Sequence, residues 1–351
     1  MSSIEIKSIR VHDLLDFHQE YSRLKQPGDL IPISYLRAFS QIHNPHAHGE
    51  DIGLLIALQG RTCIGYLGVL PGQLNVFGDL SKVYFSSTAY VPDSFRRSGA
   101  GLYLARAFRD IQGDLVGCDN RPRAERLWRG FDRVIERSPL RVFSIPVHLL
   151  KSEGADLDYF DIRAATVSDI LELPEWKPNC KRVGFFRDQA TLAWFVQNPW
   201  ICTEEQASNK VTEAADLDYY FGLGFHGIKI LPFLIKDKKT GEHLGLQLFS
   251  LVFQSNPNVT VLKMLDSIFN KNPSDGLLWA LAGQVARNHG ADKIAVDESM
   301  VTSLSPIKMM QVLGCFRNRS YFLLPRSEGT PLAKAADHLQ CQLADGDAGF
   351  T

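Results

Sequence analysis

One order of elements runs through this chain twice. IEIKSIRV, Ile4 to Val11, alternates as a short strand and passes through Asp13 into DLLDFHQEYSRL, where Leu14, Leu15, Phe17 and Tyr21 recur at helical spacing; FDIRAATVSDILEL, from Phe160, repeats that turn from strand into helix. LRAFSQIHNPH and LAWFVQNPW each set a helix before Asn-Pro. DIGLLIALQ and TCIGYLGVL, parted by Gly60-Arg61, read as a tight hairpin, and IKILPFLIKDKKTGEHLGLQLFSLVF reads as a hairpin with a longer loop. SKVYFSSTAYV and NVTVLKMLDSIF are then strands, LYLARAFRDI and DGLLWALAGQVARNHG helices, GDLVGCDN and DKIAVDE strands. Each copy closes on a helix and a strand, PRAERLWRGF with LRVFSIPV and SPIKMMQVLGCF with RSYFLLP. This order predicts an α/β fold with a mixed α+β sheet, built as two similar units in tandem. The polar, glycine-containing stretch KSEGADLDYF places the junction, giving a first domain over 1–150, a linker over 151–157, a second domain over 158–330 and a C-terminal tail over 331–351.

A chain of 351 residues accommodates two domains, and 45% hydrophobic with 22% charged residues is globular composition. Its formal net charge of -1 argues against a protein that coats nucleic acid or an anionic membrane. The six cysteines contain no CxxC pair and read as reduced core thiols. The N-terminus lacks an apolar targeting core, and no stretch has the length of a membrane span, so a soluble, cytoplasmic protein is expected.

The copies differ most at FRRSGAGLYLARAF, Phe95 to Phe108, where the second copy has SIFNKNPSDGLLW with no arginine. A strand, a glycine turn and a helix N-terminus make an anion site, because first-turn amides lack intrahelical partners and the helix dipole adds partial positive charge. Gly99 and Gly101 carry no Cβ to hold a phosphate away, and Arg96 and Arg97 can neutralise it from the sides. A surface turn with solvated arginines is the plainer reading of Gly-x-Gly alone. The chain has no GxxxxGK[ST], and Gly99 and Gly101 are not part of a GxGxxG, since Leu102, Tyr103 and Leu104 follow.

VPDSFRRSGAGLYL resembles motif A of the GNAT superfamily of acyl-CoA-dependent N-acyltransferases, with Arg96-x-x-Gly99-x-Gly101 at its fixed positions. Asn120, Trp128 and Gly130-Phe131 follow at the places of that family's later landmarks. The resemblance is specific over about residues 1–150 and covers the second half only by element order, so that half looks like a degenerate copy. It implies acetyl-CoA or another acyl-CoA as cofactor. Amides from Arg97 through Ser98, Gly99, Ala100 and Gly101 to Leu102 would hold its pyrophosphate, Ala89, Tyr90 and Val91 would pair with pantetheine, and Asn120 would meet that arm.

For the chemistry, His46 and Glu50 in the loop HNPHAHGED are candidate bases, histidine because it titrates near neutral pH. A solvated loop is the alternative, and its three histidines fit no standard metal spacing, so no metal is expected. Ser87, with Ser86 and Thr88, could steer the amine, or could serve strand packing alone. Trp128 stands where the family often has a tyrosine acid, and an indole N–H cannot give up its proton at useful pH. Tyr84 and Tyr103 are candidate substitutes, or core and rim tyrosines. The expected partner is a primary amine on a small molecule such as an amino-sugar, with no nucleic acid and no membrane, and a homodimer is left open. A non-catalytic acyl-CoA sensor is the alternative function. A tRNA-dependent aminoacyl-transferase is disfavoured by the arginine and glycine pattern and by the near-neutral charge.

Overall fold

The computed structural model of the protein describes residues 3–24, 26, 29–119, 122–150, 157–174, 183–200, 225–255, 258–269, 274–298 and 316–340. In the first half, β1 (Ile4–Arg10), α1 (Leu14–Leu24), α2 (Tyr35–Ile42), β2 (Ile52–Gln59), β3 (Thr62–Val76), β4 (Asp79–Tyr90), α3 (Ala100–Arg109), β5 (Asp114–Asp119), α4 (Pro122–Arg129) and β6 (Ile135–Pro146) follow one another. In the second, the described elements are β7 (Phe160–Ala164), α5 (Val167–Leu171), β8 (Val183–Phe186), α6 (Gln189–Gln197), β9 (Phe225–Asp237), β10 (His243–Ser255), β11 (Asn258–Phe269), α7 (Asp275–Asn288), β12 (Lys293–Asp297), β13 (Phe316–Leu324), α8 (Pro331–Ala335) and β14 (Leu339–Gln340). The helix expected over SPIKMMQVLGCF and the linker up to residue 156 lie outside the described residues.

Local chemistry starts these helices where the sequence offers a cap. Ser34 accepts from the Arg37 amide, Asp188 from Thr191, Ser274 from Leu277 and Thr330 from Ala333, while Thr166 and Asp169 form a reciprocal capping box. Runs such as IGLLIALQ are apolar at consecutive positions because they are covered on both faces. Leu54 and Ile56 pack with α1 and α2, whereas Leu55 and Ala57 pack with α3. One face of the sheet carries α1, α2, α5, α6 and α8, and the other carries α3, α4 and α7.

The strands form one sheet in the order β1-β2-β3-β4-β5-β13-β6-β12-β11-β10-β9-β7, with β8 and β14 off this path. Read from either end, the order is the same pattern of copies, except that the last long strand of each half has crossed to the other. β13 lies against β5 and β6 lies against β12, all antiparallel, and β13 and β6 meet in the middle. The duplication was legible in the sequence; the exchange was not, because β6 and β13 are alike in length and apolar pattern and either would suit either edge.

Polar contacts join the halves on the α2 side. Trp194 Nε1 donates to the Ser40 carbonyl at 2.7 Å, Trp200 Nε1 donates to Ser40 Oγ at 3.1 Å, and Ser40 Oγ donates to the Asn198 carbonyl at 2.7 Å. The Arg37 guanidinium lies 4.6 Å from the Trp200 ring centroid, and His46 Nε2 is 2.7 Å from Thr191 Oγ1. Residues 331–340, read above as the start of a tail, are docked instead. Asp114 accepts from the amides of Arg326 and Leu332, both at 3.0 Å, and Leu332 and Ala335 are wholly buried, since TPLAKAA carries both a Thr cap and an apolar face. Among the described residues no helix is long and apolar enough to cross a membrane.

Without β13 the far edge of β5 is open in residues 1–150, and β6, alike in length and apolar pattern, can fold back onto it. Expressed alone, residues 1–150 are expected to show a cooperative urea transition by circular dichroism at a lower midpoint than the full chain, because the hydrogen bonds of Trp194 and Trp200 to Ser40 are lost. Burial holds the His46 imidazole below its ordinary range, against the pull of Asp188 and with the help of Lys82. The unfolded chain therefore takes up this proton first as pH falls through about 6.5, and stability drops there. The urea midpoint is expected to fall between pH 7.5 and pH 5.5, and to fall less in His46→Gln.

Candidate functional site

The geometry around FRRSGAGLYL begins inside β4. This strand pairs with β5 only through Val83, Tyr84 and Phe85, opposite Asp114, Leu115 and Val116. Beyond Phe85 the two strands part, because β5 continues along β13 while β4 stays with β3. A wedge opens whose β4 wall is Ser86 to Tyr90. Within that wall Gly68 faces Ser87 and Tyr66 faces Tyr90, so Thr88 and Ala89 together oppose Leu67 in a β-bulge. Thr88 takes φ 47°, the left-handed region, which for a β-branched residue costs on the order of 1–3 kcal/mol.

Past Tyr90 the chain turns through Val91, Pro92 and a short 3-10 segment, Asp93–Phe95, into α3. Gly99 is the N-cap residue at φ 89°, a conformation that favours glycine, and it has no side chain to cap the helix. The Ser98 amide donates to Phe95 O at 3.0 Å, the Ala100 amide to Ser98 Oγ at 3.2 Å and the Leu102 amide to Gly99 O at 2.9 Å. Those three are spent inside the chain, which corrects the expectation of a cradle using every amide from Arg97 to Leu102. The amides of Arg97, Gly99 and Gly101 donate to no acceptor among the described residues. A Cβ at Gly101 would find its nearest neighbours, Leu127 and Val91, at 3.9 Å, so the protein's own packing does not require glycine there. Arg96 pairs with Asp93, Arg97 is exposed, and Ala89, Tyr90, Leu102 and Tyr103 line the exposed rim. Asn120 lies outside the described residues.

The inner end of the wedge is dry. Ser86 and Ser87 are buried, and a Cβ at Gly68 would collide with the Arg37 guanidinium and lie 2.8 Å from Ser87 O. On the opposite face Trp128, 4% exposed, covers Gly117 of β5 so closely that a Cβ there would meet the indole at 3.0 Å. Thr88 Oγ1 and Trp128 Nε1 are buried and hydrogen-bond to nothing among the described residues, each at a cost of about 1–3 kcal/mol.

The other candidate side chains gather elsewhere. Tyr84 sits at the closed end of β4, and at about 3.3 Å per residue it lies roughly 16 Å along the strand from Ala89. Its hydroxyl donates to Asp51 Oδ1 at 2.9 Å, and Lys82 Nζ meets Asp51 Oδ2 at 2.5 Å. Burial and the Asp51 carboxylate push the Tyr84 phenol well above its ordinary value, which makes it a poor acid. Burial would raise Asp51, but hydrogen bonds from Lys82, the His48 amide and Tyr84 outweigh it and hold the carboxyl below the usual range. His46 belongs to the same end: its neighbour Asn44 donates to Pro71 O, and Pro71 pairs with Tyr84. Thr191 Oγ1 donates to Asp188 Oδ1 at 2.7 Å, so it must accept from His46 Nε2–H. Glu50 pairs with Arg10 on the surface. Of the four catalytic candidates, only Ser87 stands at the wedge.

No family model matches this chain, and no curated protein matches it either. Solved structures do. A GCN5-related N-acetyltransferase from Kribbella flavida aligns at TM-score 0.50 and 12% identity over 92% of this chain and 71% of that one. A conserved protein of unknown function from Enterococcus faecalis V583, described as a probable N-acyltransferase, aligns at 0.50 and 11% over 92% and 72%. Saccharomyces cerevisiae N-myristoyltransferase with bound myristoyl-CoA aligns at 0.50 and 11% over 94% and 84%. At such identities the likeness establishes the fold alone, and with the duplicated element order it establishes that this chain has the GNAT acyl-CoA N-acyltransferase fold, twice over in tandem.

Proposed function

We propose that the protein is an N-acyltransferase that moves an acyl group, most simply acetyl, from coenzyme A to a primary amine of a small molecule such as an amino-sugar. The observation that carries the reading is the open row of amides at Arg97, Gly99 and Gly101, set beyond a strand that has parted from its neighbour. Three donors at a helix N-terminus suit a pyrophosphate, and Arg97 adds a formal charge beside them. Past the parting, the stretch Ala89, Tyr90 and Val91 offers backbone donors and acceptors at the spacing of an extended amide-bearing arm such as pantetheine. Acyl-CoA would supply the activated thioester; the protein would bind it, exclude water at the buried inner end and present the amine. The N-acetyltransferase and N-myristoyltransferase of like fold point the same way, by analogy of fold.

A specific observation favours a second reading, a non-catalytic acyl-CoA sensor. Trp128 lies against Gly117 and cannot give up its indole proton, and Tyr84 is committed to Asp51 at the far end, so among the described residues the acids left to the wedge are the rim phenols of Tyr90 and Tyr103, both exposed to water.

Titration calorimetry with coenzyme A separates both readings from neither. Gly101→Ala is expected to leave the thermal midpoint unchanged or slightly higher, because alanine favours a helix and finds open space, yet to weaken coenzyme A about 10-fold or more. Undiminished affinity in Gly101→Ala and in Gly101→Glu would remove the cradle from the account. Free-thiol release from acetyl-CoA over a panel of amines is expected to exceed the amine-free rate with at least one acceptor; tight binding with no release from any of them would select the sensor.

A further inference from the structure

Charge is spread unevenly along this chain. Between Phe95 and Arg133 the sequence carries nine arginines, no lysine and five acidic residues, a formal +4 in a protein whose net charge is -1. Part of that charge is met locally: Arg96 pairs with Asp93, and Arg129 of α4 pairs with Glu125 and Glu136. Arg97, Arg106 and Arg109 enter no ion pair among the described residues. Two of these stand on the outward face of α3. Ala100, Leu104, Ala105 and Phe108 turn the other side of that helix into the core, which leaves Leu102, Arg106 and Arg109 at positions i, i+4 and i+7 of one stripe, with Gly99 and Tyr103 beside it. Leu102 is 42% and Tyr103 46% exposed, so two large apolar side chains stand in water next to the guanidinium groups. Asp110, the C-cap residue, pairs with neither arginine. A diphosphate is held by the first turn of a helix, but at 1.5 Å per residue Arg106 lies about 10 Å and Arg109 about 15 Å along the axis from Gly99, past the reach of the first-turn amides.

We propose that this face docks a small acidic carrier protein, one that bears the acyl group on a phosphopantetheine arm joined to a serine. The inference rests on the reading of cradle and wedge as a phosphopantetheine site, and it names what holds the other end of the arm. Coenzyme A and such a carrier share the arm and its first phosphate; beyond that phosphate lies a nucleotide in one and a protein surface in the other. With the arm in the wedge and the phosphate at the amides of Arg97, Gly99 and Gly101, the surface around the carrier's serine comes to rest on the outward face of α3, because that face begins at the same turn. Carboxylates of the carrier meet Arg106 and Arg109 as ion pairs, and an apolar carrier side chain covers Leu102 and Tyr103. An RNA backbone would suit the arginines alone and has no apolar surface to lay on an exposed leucine, which favours a protein. The transfer itself is unchanged: the amine nitrogen bonds to the acyl carbon, the C–S bond breaks with its electron pair on sulfur, and the sulfur takes up through water the proton the amine gives off, so the free thiol stays on the carrier.

Titration calorimetry on the full chain tests this with a type II acyl carrier protein, in its holo form with the arm attached and in its apo form without it, and with coenzyme A in parallel. The holo carrier is expected to bind about 10-fold or more tighter than the apo carrier, and to weaken about 10-fold between roughly 50 and 300 mM salt. Arg106→Glu with Arg109→Glu, or the two Gln substitutions if that variant does not fold, is expected to weaken the holo carrier about 10-fold or more while coenzyme A stays within about 3-fold of the parent, and Arg106→Lys with Arg109→Lys is expected to keep most of the carrier's affinity. No binding of the holo carrier while coenzyme A binds, equal affinity of the apo and holo forms, or equal losses for carrier and coenzyme A in the charge-reversed variant overturns the docking face and leaves the acyl-CoA reading standing. Bulk tRNA binding tighter than the holo carrier overturns it in favour of a nucleic acid. Absence of binding by both coenzyme A and the holo carrier ends the underlying reading as well.

Discussion

The antiparallel pairing of β5 with β13 and of β12 with β6 is the constraint on which the rest of the molecule depends. It turns two copies of one unit into a single sheet, and it also makes the wedge. β5 is held along its far side by β13 from Leu115 to Asp119, so it cannot follow β4 beyond Val116. β4, with its bulge at Thr88 and Ala89, stays with β3 and no longer pairs with β5 past Phe85. A strand from the second half thereby fixes the opening in the first. The contacts of α2 with Trp194, Trp200 and Asn198 hold the opposite face of the same region.

Much of this was legible in the residues. The duplicated order of elements, the Gly60 hairpin and the helix beginning after Gly99 follow from periodicity and from turn chemistry, which act over a few residues and leave local marks. What was not legible depends on pairs distant in sequence. Thr88 looks like any threonine in a strand, and only the register against Tyr66 and Gly68 shows it to be strained. Trp128 acquires meaning only above Gly117. Arg37 carries no local mark of its place, and only the fold shows it fully buried against Trp200.

The separation of His46, Glu50 and Tyr84 from the wedge has a similar origin. HNPHAHGED lies close in sequence to the hairpin that builds the sheet, but it crosses the closed end of β4, where Asp51 gathers Lys82 and Tyr84. Chemistry-bearing residues there are used to hold loop and strand together: a half-buried carboxylate accepting from an ammonium and a phenol is a stable local unit with little left to offer a substrate. His46 serves a comparable end as the donor to Thr191 across the halves.

β11 repeats the departure of β4, pairing with β12 only over Val261 to Lys263 and bulging at Leu265. There a buried ion pair stands beside the parting. Asp266, just past the parting, accepts from Arg187 at 2.9 Å with both side chains buried, and the first turn of α7 is capped by Ser274. Removing one member of such a pair costs about 3–5 kcal/mol, so this arrangement is hard to undo one residue at a time. The two halves thus treat the same parting of strands differently: past β11 the buried carboxylate is tied to a guanidinium of the same half, whereas past β4 the hydroxyl of Thr88 meets no acceptor or donor among the described residues.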